Sequence, residues 1–185
     1  MKHQLIIKCS DRAKELEGQA HSGAFQILQF ISGHGITVNS RGLHLLSPGD
    51  LCFTRPDEMR FWSFADNAIV NYCGIWPEYL VKTPHISKLL WQHPAFTGQK
   101  KFASMSAQQS SLISMVFRVI SNEAESSFEN KKEAILLHLQ LMMLYLRRFS
   151  TRSDTLLRER PPDLREDLQL LVKPLFDDAN LWIQN

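Results

Sequence analysis

The chain has 185 residues, 44% of them apolar and 22% charged, enough to close one soluble core with room for a small appendage. A formal net charge of +2 is too mild to advertise nucleic-acid binding, and three cysteines (Cys9, Cys52, Cys73) without C-x-x-C spacing speak against a zinc or disulfide framework; they read as reduced thiols of a cytoplasmic protein. MKHQLIIKCSDR holds too short an apolar run for a signal peptide, and AILLHLQLMMLYL, broken by His138 and Gln140, falls short of the roughly 18–20 residues that a membrane span requires.

In chain order, the first half reads as strands. AFQILQFI (24–31) is apolar and β-prone, and Gly33-His34-Gly35 ends it. ITVNSRGLHLL (36–46) predicts a hairpin, with Asn39-Ser40-Arg41-Gly42 supplying the turn. Ser47-Pro48-Gly49-Asp50 is a second turn, and LCFT (51–54) follows as a strand. RFWSFA (60–65) and AIVNYCGIW (68–76) are expected to pair across Asp66-Asn67. Short strands at close spacing with Gly, Pro and Asn turns predict a small barrel or sandwich.

The second half reads as helices. HISKLLWQH (85–93) forms a short connecting helix that ends at Pro94. Ser106 with Gln109 is a capping box ahead of SLISMVFRVI (111–120), and Asn130 with Glu133 repeats it ahead of AILLHLQLMMLYLRR (134–148). Arg147 and Arg148 then complement the helix dipole in the last turn. Residues 150–162 (STRSDTLLRERPP) have linker composition. Asp163 with Glu166 opens a further helical segment, on which Leu164, Leu168, Leu171 and Leu175 form an apolar stripe.

The segment from about 130 to 149 carries two apolar stripes where a surface helix needs one. One is Ile135, Leu139, Met142, Leu146 and Phe149; the other is Leu137, Leu141 and Leu144. Burial on both sides is expected, one face against the strands and one against a second copy of the chain. Ile135, Leu139, Leu141, Met142 and Leu146 are the expected dimerisation residues. The competing reading encloses the whole helix in one chain's core.

FQILQFISGHGITVNSRGLHLLSPGDLCFTRPDEMRFW, with the helices ending in LQLMMLYLRRFS, resembles the N-terminal effector-binding domain of AraC/XylS-type transcriptional regulators, with a flavour of the rhamnose-type sugar regulators. The resemblance spans about 25–149. It implies an α+β chain: a cupin-like small β-barrel or jelly roll over 1–82, a helical dimerisation segment over 83–149, a linker over 150–162, and over 163–185 the lead-in to a helix-turn-helix domain. Metal-binding cupins resemble H-x-H-x-x-x-E with a later histidine. Ala20, Ser22, Gln26 and Arg60 occupy those four places here, so no metal, no cofactor and no enzymatic activity are expected.

What the resemblance implies is a cytoplasmic homodimer that senses a small-molecule effector such as a sugar and touches DNA only through a missing C-terminal domain. Arg60, Gln26, Trp62 and Tyr72 are the expected ligand-binding residues: planar polar groups fix hydroxyls or a carboxylate, and aromatic faces stack on the ligand. In the plainer account Arg60 sits at the barrel mouth and pairs in water with Asp57, Glu58 or Asp66, while Trp62 and Phe64 are core. The other functional reading is a stand-alone cupin protein, either a metal-independent enzyme or an inert dimerisation module. No G-x-S-x-G elbow, P-loop or G-x-G-x-x-G is present.

Overall fold

A computed structural model describes residues 5–16, 23–39, 42–58, 60–97 and 102–152. Eight strands come before or between the helices: β1 (Leu5–Arg12), β2 (Phe25–Ser32), β3 (Gly35–Asn39), β4 (Gly42–Leu46), β5 (Asp50–Thr54), β6 (Phe61–Phe64), β7 (Ile69–Ile75) and β8 (Phe102–Ser104). Helices α1 (Pro84–Gln92), α2 (Pro94–Thr97), α3 (Ala107–Glu125) and α4 (Lys131–Arg152) complete the order. The α+β class with strands first is as the sequence indicates.

The strands form two antiparallel sheets, β1-β7-β2-β5-β8 and β4-β3-β6. Among the described residues no hydrogen-bonded ladder joins them, so of the expected barrel or sandwich the strands form two open sheets that face each other, without barrel closure. Strand alternation explains the layering. On β2 and β7 the residues Leu28, Phe30, Val70 and Tyr72 point toward the small sheet and cluster with its Leu46 and Phe64. Phe30 and Phe64 stack across the gap with centroids 6.3 Å apart. Their neighbours Phe25, Ile27, Cys73 and Ile75 point the other way, into a core built with the helices.

RFWSFA and AIVNYCGIW do not pair with each other. β6 joins β3, whereas β7 lies between β1 and β2. The reason is burial. From Val70 to Ile75, β7 is buried on both sides and needs a neighbour at each edge, while β6 is an edge strand with Phe61 exposed. Asp66-Asn67 therefore carries the chain from one sheet to the other, in a turn closed by the Ala68 N–H on the Ala65 carbonyl (2.9 Å). Gly33 fits against that turn. Its φ is +88°, and a Cβ there would lie 2.7 Å from the Ala68 Cα.

Two polar devices fix the remaining connections. Asp50 accepts the Ser47 N–H (2.8 Å) and the Ser104 hydroxyl (2.7 Å), so the Ser47–Asp50 turn also anchors the three-residue β8. Buried His93, between α1 and α2, receives the Ala95 N–H on Nδ1 (3.2 Å) and donates from Nε2 to the Met143 carbonyl of α4 (2.9 Å). Neither β1 nor β8 stood out in the sequence. One is an edge strand carrying Lys8, Asp11 and Arg12, and the other is too short to show a period.

The capping box of α3 is complete: the Gln109 N–H reaches Ser106 Oγ (3.3 Å) and the Ser106 N–H reaches Gln109 Oε1 (2.9 Å). Helix α4 runs to Arg152, past the expected start of a linker at 150. Its remainder to 162, the 163–185 segment and the Leu164, Leu168, Leu171, Leu175 stripe lie outside the described residues.

On α4 the placement of the two stripes corrects part of the expected dimer contact. Ile135, Leu139, Met142 and Leu146 are buried in this chain's own core, packed with α3 and the large sheet. They have no surface left to offer a second copy. Leu137, Leu141 and Leu144, 64%, 38% and 50% exposed, face outward.

Burial, assisted by the charge of Arg147, holds the His93 pKa below its usual 6.5 against the opposing pull of the Met143 hydrogen bond. Folding thus favours the neutral ring. Its contribution is complete above pH 6.5 and is lost as the pH falls from there toward the depressed folded value. In thermal melts, Tm is expected to hold between about pH 8 and 7 and to decline below about 6.5. His93→Gln, whose amide can still donate to Met143, should flatten that decline; an unchanged slope would exclude His93 as its source.

Candidate functional site

Arg60 enters just before β6 and is only 7% exposed despite its fixed charge. Its guanidinium carbon lies 5.5 Å from the centroid of the Trp62 ring, a cation–π stack along one strand. Trp62 is directly opposite Thr37 on β3, and Thr37 is fully buried. These residues form the polar wall of the small sheet.

The large sheet supplies the opposing wall. Gln26 on β2 is flanked by Thr54 on β5 and Gly74 on β7, all on the face that looks toward the small sheet. A Cβ on Gly74 would meet the Tyr72 hydroxyl at 2.8 Å. The missing side chain is thus what lets the Tyr72 ring lie along its own strand and bring its buried hydroxyl beside the Gln26 row. Cys52, two residues before Thr54, lies on that same face.

Burial depresses the Arg60 pKa, and the attraction of Cys52 and Glu58 does not make up the loss. Burial likewise pushes the Tyr72 pKa well up, so the phenol keeps its proton and can donate. Among the described residues the buried hydroxyls of Thr37 and Thr54 have no hydrogen-bond partner. That is a costly arrangement for a closed apolar core and a natural one for a site that receives a polar molecule.

Arg60 is buried rather than set in open water, and the acids near it also have other contacts. Asp57 is held by the Arg55 side chain, through Nε at 2.8 Å and through Nη2, and Asp66 is bound by Lys14. Glu58 accepts the Arg55 main-chain N–H at 3.1 Å while its charge still acts on Arg60.

All four sequence-derived residues lie on inward faces. Arg60 and Trp62 are in contact, Gln26 and Tyr72 share the strip around Gly74, and Trp62 is half-buried at the rim. Thr37 and Thr54 were not anticipated. The signal for Thr54 was its even spacing from Cys52 in LCFT, which puts it on the inward row.

Also unanticipated is a polar cluster on the opposite face of the same strands. Asn71 Nδ2 donates to Gln29 Oε1 (2.8 Å), and Gln29 Nε2 donates to the carbonyl (2.8 Å) and hydroxyl (2.9 Å) of Ser110 on α3. Ser114 Oγ closes the set on Gln29 Oε1 at 3.1 Å. The strands that present Gln26 and Tyr72 inward are therefore tied to α3 by adjacent residues.

No protein-family model and no characterised protein sequence matches the chain. Solved structures do resemble it. The AraC-like transcriptional activator CuxR superposes with a TM-score of 0.46 at 12% identity, over 80% of this chain and 48% of that one. An apo ToxT variant from Vibrio cholerae gives 0.45 at 11% identity, over 94% and 65%. ToxT bound to (E)-4-(8-methylnaphthalen-1-yl)but-3-enoic acid gives 0.42 at 12%, over 92% and 61%. The chain thus spans about half to two thirds of the length of these proteins, and at such scores the functional reading is left to its own residues. Among the described residues no helix is long and apolar enough to cross a membrane.

Burying the Arg60 charge carries a desolvation cost. Arg60→Met, which keeps the length and removes the charge, is expected to raise the Tm of the ligand-free protein by a few degrees. A drop of similar size would show that the guanidinium's internal partners outweigh its desolvation.

Proposed function

We propose that this chain is the effector-sensing and dimerising part of a transcription regulator of the AraC/XylS type, and not an enzyme. The observation that supports this best is that buried polar side chains line the facing sides of the two sheets: Arg60 over Trp62 and Thr37 on the small sheet, Gln26, Thr54 and Tyr72 on the large one. Such a set binds and orients a small polar molecule, a sugar or a related metabolite. It pairs no nucleophile with a base. The tie from Gln29 and Asn71 to Ser110 and Ser114 offers a route by which occupancy is felt at α3. Any switching requires the effector to prefer one of two arrangements of that joint. DNA contact belongs, in this reading, to helix-turn-helix units outside these 185 residues, and the working compartment is the cytoplasm.

The paired helices supply the dimer surface in this reading. Leu137, Leu141 and Leu144 on α4, together with Met115 and Val119 on α3, point away from the core at helical spacing. Leu141→Glu combined with Leu144→Glu is expected to convert the protein from dimer to monomer in analytical ultracentrifugation with little change in Tm. A wild-type chain that sediments as a monomer at tens of micromolar would remove the dimer from the proposal.

Sensing is tested by a thermal-shift screen of sugars and small metabolites against the wild-type chain and Arg60→Ala. A true effector should stabilise by about 2.7 kcal/mol at 100 times its Kd, and the gain should vanish in the variant. A screen without a single Arg60-dependent hit would favour an inert module.

A further inference from the structure

His93 stands where three helices meet, and each of its polar groups is engaged. Its main-chain N–H closes α1 on the Leu90 carbonyl (3.3 Å). Its carbonyl receives the Phe96 and Thr97 N–H groups of α2 (2.9 and 3.0 Å) and the Thr97 hydroxyl (3.2 Å). The ring bonds at both nitrogens, to the Met143 carbonyl of α4 through Nε2 and to the Ala95 N–H through Nδ1. A carbonyl can only accept and an amide N–H can only donate, so the two bonds together fix the neutral tautomer with its proton on Nε2.

Protonation acts on those two bonds in opposite ways. An imidazolium carries hydrogen on both nitrogens and has no acceptor left. The bond from Nε2 to Met143 survives and gains from the charge. On the other side Nδ1–H points at the Ala95 N–H, and that amide loses its partner. No titratable side chain lies on α2, and His85 and Lys88 of α1 are exposed. Among the described residues the charge that acts on the ring is Arg147 of α4, whose opposition is weaker than the pull of the Met143 carbonyl. The charged ring therefore stays on α4, and α2 gives way. Burial places this titration below the usual 6.5.

What α2 holds in place is Phe96. This fully buried ring lies edge-on to Phe25 of β2 (centroids 5.2 Å apart) and to Phe53 of β5 (5.6 Å). Phe25 and Phe53 immediately precede Gln26 and Thr54, which sit opposite each other across the two strands. We infer that His93 is an acid-sensitive joint: taking up a proton frees α2 from the ring while α4 keeps its hold, and this loosens the seat of Phe96 behind the β2–β5 pair. Such an input is separate from effector binding and stands or falls without the sensing role.

The test follows the full chain by NMR between about pH 7.5 and 5. Imidazole nitrogen shifts are expected to show the His93 proton on Nε2 at the upper end and a single titration of the ring below it. At the same midpoint the Ala95, Phe96 and Thr97 amides should lose roughly tenfold in protection beyond their intrinsic exchange, while the α4 amides around Met143 keep theirs. His93→Asn, whose short side chain can still accept the Ala95 N–H but does not titrate, should leave the protection of 95–97 flat across the range. Should that variant fail to fold, the match between ring titration and α2 protection in the wild-type chain decides alone. The inference is overturned by a neutral ring with its proton on Nδ1, or by a ring that stays neutral until the whole chain unfolds. It is equally overturned if α2 holds its protection through the titration, or if α2 and α4 lose theirs together. A His93→Asn chain that keeps the wild-type drop would assign the effect to another group.

Discussion

Strands β2 and β7 are buried on both sides, and the rest of the molecule follows from that constraint. A strand with two covered faces sends alternate residues into two separate environments, so each position must suit one and only one of them. Phe25, Ile27, Cys73 and Ile75 serve the helical side, while Leu28, Phe30, Val70 and Tyr72 serve the space between the sheets. Polar residues in such strands are tolerated only where they find partners or a use. Gln29 and Asn71 find partners on α3. Gln26 and Thr54 sit on the other side, the face turned toward the small sheet.

In the proposed role, sensing and transmission share strand β2. Gln26 and Gln29 are three positions apart on one strand and point to opposite sides, one toward the interior and one toward a helix. A movement of β2 by a fraction of an ångström on ligand entry would be felt in the Gln29–Ser110–Ser114 hydrogen bonds. Core packing resists small deformations, so it passes such shifts on as strain. The outward stripe of the helix pair, proposed here as the dimer contact, lies on the far side of the same helices.

Much of this was legible in the sequence because it depended on local chemistry. The hairpin at 36–46, the strand LCFT and the Ser106–Gln109 capping box all follow from turn residues or period-two alternation. What was not legible depended on partners distant in sequence. RFWSFA and AIVNYCGIW have every local mark of a hairpin. Only the need of β7 for two neighbours, one of them the charged edge strand β1, sends them to different sheets. The core position of Ile135, Leu139, Met142 and Leu146 likewise depends on α3 and the sheet, and a helix with two apolar stripes does not announce which is inside. Gln29 bonds to a helix that starts nearly eighty residues later, and no spacing rule reaches that far.

Gly33 has a consequence of another kind. The contact that its bare Cα permits is with the one turn that ferries the backbone between the two layers, and the Ala13 N–H also closes on Ala68 there (2.9 Å). Any side chain at 33 would wedge this junction and prise the layers apart from the rim. In the proposed role, substitutions lining the space between the sheets can therefore accumulate and retune what is bound, provided this seam is left untouched. Chemical preference is free to drift in such a molecule while its architecture is pinned by an atom that is absent.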